Sequence, residues 1–360
     1  MFVLHVGPHK TATTWMQTNL HYNAAALEKA GWLYPQVGER VVIAHHDLSD
    51  HPAEILDDGS RKTAAFRKIA EKASAGNLNI LLSSEGFSKW RPQHLKRLQE
   101  IIAPHEMRIV YTLRDPVSLT YSLWAQKVKT GGPKSLPQHY DEQVRKAGKS
   151  RSLDPLTDLQ KYRDVENAGL TVLLYDEIGR QGRDIFDVLT QDVLSVGTLP
   201  HAERGTANER EPLEMTEFMR AMLVRMGRWK GGERVNIGRV FKHMLTGAAR
   251  KEIIDAVAAV PQAKRVMTLR RDDEAFLAME RKLLKKFSAQ MVPTPGAKLF
   301  LEGEATFDYY DDTVLAADPK VKSLLDDLTK KFRPGGFRMT IANLARSSLM
   351  GWRRLVNRFR

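Results

Sequence analysis

Residues 2–14 read Phe2-Val3-Leu4-His5-Val6-Gly7-Pro8-His9-Lys10-Thr11-Ala12-Thr13-Thr14: an apolar run, a glycine–proline break, then a lysine among three threonines. The apolar run reads as a strand over 2–6. Beyond it, Trp15, Leu20, Ala24 and Leu27 recur at a roughly helical period, which predicts a helix over 13–30 stopped by Gly31. A tight loop between strand and helix points backbone N–H groups and the positive helix end at one spot, so 7–14 makes a cradle for an anion. Lys10 adds a full charge and the threonine hydroxyls add donors. The pattern is not the common phosphate loop G-x-x-x-x-G-K-[ST]. Counted from Gly7, Ala12 and Thr13 stand where that loop has glycine and lysine, and Lys10 comes three residues too early. The competing reading is an ordinary turn in which Thr13 or Thr14 caps the helix.

The alternation continues outward from this segment. Strands are expected at 79–83, 107–113 and 170–175, and helices at 92–102, 116–130, 156–167 and 183–194. Pro92 is tolerated in a first helical turn, and Gly131-Gly132-Pro133 closes the helix before it. Strands alternating with helices argue for an α/β fold on a parallel sheet, with ligands beyond the C-terminal strand ends. From 206 to 287 the pattern turns helical, at 213–226, 250–260 and 272–287, followed only by a weak strand at 298–301. The polar, basic stretch 133–152 reads as a loop or lid.

A second motif, Arg114-Asp115-Pro116-Val117-Ser118-Leu119-Thr120-Tyr121-Ser122, follows the strand 107–113. Arg114 ends that strand and Ser122 lies on the next helix, so the turn folds both toward one ligand. A guanidinium and a hydroxyl suit a phosphate. The competing reading pairs the arginine with Asp115 as a structural ion pair.

Together the two segments resemble the paired signature of the sulfotransferases that use 3′-phosphoadenosine 5′-phosphosulfate (PAPS). That family has a Lys-x-Gly-Thr-Thr loop for the 5′-phosphosulfate and an arginine with a serine eight residues later for the 3′-phosphate. Here Lys10-Thr11-Ala12-Thr13-Thr14 and Arg114 with Ser122 stand in that order and offset. Ala12 replaces the usual glycine; its Cβ disfavours positive φ, so a right-handed backbone is expected there. Val172-Leu173-Leu174-Tyr175-Asp176-Glu177 resembles the family's strand ending in Tyr-Glu-Asp, with the acids reversed. The resemblance implies a P-loop-like three-layer core, PAPS as co-substrate and no metal. It implies cofactor binding by His9, Lys10, Thr11, Ala12, Thr13, Thr14, Trp15, Arg114, Ser122, Tyr175 and Arg210, with Trp15 and Tyr175 near the adenine. Asn208 and Arg210 fall where the family has a late loop over the 3′-phosphate. Lys10 and Glu85 are the implied catalytic residues. Glu85 ends the second strand, where the family places its base, and as a base it needs partial burial and a pKa near working pH. His45 and His46 are rival bases, and a capping acid is the competing reading of Glu85. For Trp15 and Tyr175 the competing reading is core packing.

The implied acceptor is a hydroxyl, on a carbohydrate by family analogy. Ser88, Lys89, Trp90, Arg91, Trp124 and Lys127 set aromatics beside cations, which suits a sugar or anionic glycan; ordinary packing with solvated charge is the other reading. Adjacent histidines at 45–46 with Asp47 and His51 lack the spacing of a metal site.

Composition narrows the alternatives. With 42% hydrophobic and 28% charged residues, the chain is globular in character, and its longest apolar runs fall far short of a membrane span. The absence of cysteine excludes disulfides and a thiolate nucleophile and suits a reducing cytosol; no secretory signal is visible at the N-terminus. Net charge is +13, but residues 328–360 hold nine Lys/Arg and no acid, leaving +4 for the rest. Basic excess confined to a tail argues against a nucleic-acid binder. If 341–360 is helical, Ala345, Leu349, Trp352, Val356 and Phe359 form a stripe, a basic amphipathic helix fit for an anionic membrane surface such as the inner face of the cell membrane. A helix docked on its own domain, or a tail ordered only by a partner, is the competing reading. The expected organisation is a core over 1–205, a mainly helical cap over 206–327 and the tail. A phosphotransferase or kinase, and a non-enzymatic basic module, are the alternative functions.

Overall fold

The structure is a computed structural model that describes residues 1–36, 43–145, 150, 153–203, 211–227 and 237–331. Its strands, among these residues, are β1 Phe2–His5, β2 Trp32–Leu33, β3 Asn79–Ser83, β4 Met107–Leu113, β5 Ala168–Leu174, β6 Lys264–Arg270, β7 Met291–Val292 and β8 Glu304–Tyr310. Six form one sheet in the order β2-β3-β1-β4-β5-β7, and every pairing is parallel. The register sets Leu4 beside Leu82 and Ile109, and His5 beside Ser83 and Val110.

The strands are near-continuous apolar runs because both sheet faces are covered. Alternate residues divide between the two faces. Phe2, Leu4, Ile80, Leu82, Ile109, Tyr111, Val172 and Leu174 belong to one core, filled by Phe66, Leu95, Leu98, Leu159, Leu283 and Phe287 from helices Arg61–Ala75, Pro92–Ile102, Leu156–Arg163 and Glu274–Phe287. Val3, Leu81, Val110 and Leu173 belong to the other, filled by Met16, Leu20, Leu27, Ile178 and Phe186 from helices Thr13–Tyr22, Ala24–Lys29, Tyr175–Arg180 and Ile185–Val188. The α/β expectation holds, with helices on both faces of a parallel sheet.

The chain divides into two compact units: 1–123 with 140–209 and 268–305, and 124–139 with 210–267 and 306–360. The first holds the six-stranded sheet. The second has an apolar core that includes Met215, Phe218, Met222, Phe241, Val257 and Leu325. Its buried Arg220 donates to Glu217, to Asp312 at 3.0 Å and to the Tyr310 carbonyl at 2.7 Å. β6 and β8 form a separate two-stranded sheet.

Several expected elements differ. The helix over 13–30 breaks at Asn23, whose side-chain amide donates to the carbonyls of Asn19 and Pro200 (2.9 and 2.8 Å), a local alternative to helical pairing. The helix over 156–167 ends at Arg163. The strand over 170–175 is Ala168–Leu174, and Tyr175 begins a helix. The helix over 183–194 is Ile185–Val188 running into a wider π turn, Leu189–Val193. No strand forms at 298–301; those of the later chain are β6, β7 and β8. The stretch read as a loop at 133–152 contains the helix Leu136–Arg145, anchored by buried Leu136 and His139. Asn208, Arg210 and the proposed tail helix at 341–360 lie outside the described residues. Among the described residues, no helix is long and apolar enough to cross a membrane.

Candidate functional site

The connection from β1 runs to β2 on one side of the sheet, and that from β4 runs to β5 on the other. The crevice between the C-terminal ends of β1 and β4 is where ligands of open parallel sheets bind. Both sequence motifs open onto it: residues 7–12 follow β1, and Arg114 follows β4.

The loop after β1 is tightly wound. Lys10 and Ala12 both take positive φ, 72° and 58°. Ala12 thus contradicts the right-handed backbone expected of it: it is the left-handed residue before the helix Thr13–Tyr22. Left-handed turns direct successive N–H groups to one side, and the first-turn N–H groups of a helix have no intrahelical acceptor. Thr11 Oγ1 donates to the Pro8 carbonyl at 2.8 Å, closing the loop from within. Gly7 is closely surrounded: a Cβ there would lie 3.0 Å from His5 Nε2 and 3.2 Å from Thr11 Oγ1, so these side chains would have to give by a few tenths of an ångström. An L-residue other than Asn or Asp is strained in the left-handed region. Ala12→Gly is therefore expected to raise stability by up to about 1 kcal/mol after allowing for glycine's extra unfolded freedom, read as a higher urea midpoint. A lower midpoint would show that the left-handed turn is not the resting state.

Neither Thr13 nor Thr14 caps the helix. Thr13 Oγ1 instead donates to Glu85 Oε1, and Gln17 Nε2 donates to Glu85 Oε2 and Ser83 Oγ, both at 3.3 Å. His5 Nδ1 lies 2.7 Å from the same Ser83 hydroxyl and His5 Nε2 lies 3.4 Å from Thr112 Oγ1. A buried polar chain thus underlies the loop from Thr112 to Thr13. Burial pushes the Glu85 carboxyl up, but the bonds from Thr13, its own backbone N–H and Gln17, with the nearby His9, hold it below the usual range. That is opposite to the elevation expected of a base. His5 is driven down to about 4 by burial, against the pull of Glu85. His9 is also lowered, first by desolvation against Glu85 and then by the charges of Lys89, Lys10 and His46.

Arg114 joins the two motifs. Its Nη1 donates to the Lys10 carbonyl, its guanidinium lies 5.0 Å from the centre of the Tyr175 ring, and its Nε is buried without a partner among the described residues. Asp115 is not its partner. Fully buried Asp115 is gripped by Arg271, Nε and Nη2 each at 3.0 Å from a carboxylate oxygen, and accepts the Ser118 N–H at 2.8 Å, which caps the helix Pro116–Lys129. Its own N–H donates to Asp176. Burial pushes Asp176 up to about 6; the Asp115 N–H opposes this, the Asp115 carboxylate adds to it, and Arg114 and Arg180 oppose it. Ser122, two turns along the helix, donates its hydroxyl to the Ser118 carbonyl at 3.0 Å, so to serve an anion it must turn from that carbonyl. Trp15 is half-buried, with its indole N–H on the Asp184 carboxylate at 3.0 Å.

Named contacts thus join Arg114 to Lys10 and Tyr175, and Thr13 to Glu85, and the two sets meet in the chain of the loop between Lys10 and Thr13. Trp90 and Trp124 are buried, their indole N–H groups on the Ser49 and Lys134 carbonyls, so packing accounts for both. His45 is also buried: Nε2 donates to the Pro35 carbonyl at 2.9 Å, Nδ1 accepts the Ser83 N–H at 3.0 Å, and burial lowers its pKa to about 4. Reading the sequence missed Arg271, Gln17 and Ser83. Gln17 was within reach, four residues beyond Thr13 and so on the same helix face; Arg271, 156 residues from Asp115, carried no local signal. Among the described residues no cluster of His, Asp and Glu is arranged to hold a metal ion. Set against family models, curated proteins and solved structures, the chain matches none.

Proposed function

We propose that the protein transfers a sulfuryl group from PAPS to an acceptor hydroxyl, on a carbohydrate or a glycolipid. The observation that carries this reading is the bond from Arg114 to the Lys10 carbonyl, which unites the two phosphate-type motifs at the crevice between β1 and β4. The loop N–H groups and Lys10 suit the 5′-phosphosulfate. Arg114, with its unpaired Nε, and Ser122 suit the 3′-phosphate, and Tyr175 and Trp15 flank the nucleoside. Sulfuryl transfer, like phosphoryl transfer, has a loose transition state, so positioning and electrostatics supply most of the catalysis. Lys10 stabilises the charge that develops on the leaving phosphate.

The test is a thermal-shift titration with the desulfated product, adenosine 3′,5′-bisphosphate, beside ATP/Mg²⁺. A ligand that binds only the folded state stabilises it by about 2.7 kcal/mol at a hundredfold excess over Kd. The expected result is a shift with the bisphosphate that exceeds the shift with ATP and shrinks in Arg114→Ala. A larger ATP response would favour a kinase, and no response to either at millimolar concentration would remove the nucleotide site.

A further inference from the structure

We propose that His46 Nε2 takes the proton of the acceptor hydroxyl, an assignment that rests on the sulfuryl-transfer reading above. The segment bearing His46 is tied to the end of β3: the His45 N–H donates to the Ser83 carbonyl at 3.0 Å, and the Ser83 N–H donates to His45 Nδ1 at 3.0 Å. His46 follows, exposed, with Nδ1 3.0 Å from the hydroxyl of Ser84. The next residue is Glu85, bonded to Thr13 beside the loop, and His46 is close enough to His9 of that loop to act on its charge.

The hydroxyls around the ring assign its tautomer. Ser84 Oγ accepts the Gly86 N–H at 3.2 Å and lies 2.7 Å from Ser49 Oγ, while Ser49 Oγ is 3.1 Å from the His46 carbonyl, to which it donates. With Ser49 donating to that carbonyl, Ser84 must donate to Ser49, because each hydroxyl has one hydrogen. Ser84 Oγ is left with only a lone pair for the ring, so His46 Nδ1 carries the proton and Nε2 is bare. The opposite tautomer would turn the Ser84 hydrogen to Nδ1 and the Ser49 hydrogen to Ser84, and the bond to the carbonyl would be lost. The closeness of Ser49 and Ser84 depends on Gly86: a Cβ there would collide with Ser49 Oγ.

Glu85 is unsuited to the same task. Both its carboxylate oxygens face inward and accept from Thr13 and Gln17, and only 6% of the residue is exposed. Its part is to position the loop. In the transfer step the acceptor oxygen forms a bond to sulfur as the bond from sulfur to the 5′-phosphate oxygen breaks. The electron pair of that bond leaves with the bisphosphate, the hydroxyl proton passes to Nε2, and the products are a sulfate ester and adenosine 3′,5′-bisphosphate.

The experiment uses the full chain with PAPS and water as acceptor, following bisphosphate release. His46→Ala is expected to slow release about 100-fold, the lower range for a lost general base, with bisphosphate affinity unchanged and the rate restored by added imidazole. In the wild type, nitrogen-15 correlation spectra are expected to show the His46 ring protonated at Nδ1. Release at the wild-type rate in His46→Ala, failure of imidazole to rescue, or a proton on Nε2 would each overturn the assignment while leaving the sulfuryl-transfer reading in place. A wild type that neither binds the bisphosphate nor consumes PAPS would overturn both.

Discussion

Replacement of Arg271 by methionine is expected to lower stability by about 3–5 kcal/mol, the usual penalty for stranding one partner of a buried ion pair. Asp115 is fully buried and Arg271 nearly so, and both N–H···O contacts of their fork are 3.0 Å. Without the guanidinium, Asp115 keeps the Ser118 N–H but loses its counter-charge. Arg271→Lys should fall between, because an ammonium cannot reproduce two parallel bonds. The double variant Asp115→Asn/Arg271→Met should recover part of the loss, since it leaves no isolated charge. Urea midpoints for the wild type, Asp115→Asn, Arg271→Met and the double variant give the coupling directly. Additive losses, with the double variant the weakest, would mean that the pair is not coupled and that Arg271 acts only through packing.

Acid should unfold the protein earlier than its carboxylates alone require. His5 and His45 are held near 4 against an ordinary 6.5, so the unfolded chain takes up protons that the folded chain refuses. The stability involved is fully present above pH 6.5 and is lost as pH falls toward 4. Protonating His45 at Nδ1 would also set two hydrogens against each other, because that nitrogen already accepts the Ser83 N–H. Asp176, raised to about 6, works in the opposite sense and gains a proton in the fold. By linkage, the two histidines remove about 5 kcal/mol at pH 4.5 and Asp176 returns about 2, a net loss of about 3 kcal/mol relative to neutral pH. Urea titrations at pH 7.5 and 4.5 measure it, and Asp176→Asn should steepen the fall. Equal stability at the two pH values would show that neither histidine is protected.

The sheet was largely legible because β1, β3, β4 and β5 are apolar runs bounded by turns, and a buried parallel strand needs little more. β2 and β7 are two residues long and carry no period to detect. The left-handed Ala12 defied local preference, since the surrounding loop imposes its φ against the cost of a Cβ. At the site, Lys10 and Arg114 were legible because charge at a strand end is conspicuous. What Glu85 does with its oxygens was not, because Thr13 and Gln17 reach it from another element. The fork from Arg271 was hidden for the same reason: ion pairing across 156 residues leaves no pattern in sequence.

That separation also fixes an order of events during synthesis. At roughly 5–20 residues per second, about 8–30 s pass between the making of Asp115 and the making of Arg271, 156 residues later. Once residue 174 has been made the nascent chain has the residues of β1 to β5, yet until Arg271 follows Asp115 lacks this counter-ion. The outer edge of β5 is also unpaired until Met291 and Val292 arrive. The turn that bears Arg114 is therefore locked by a residue made 156 positions after Asp115. An N-terminal fragment ending before residue 271 would carry both phosphate-type motifs without the clasp that sets one of them in place.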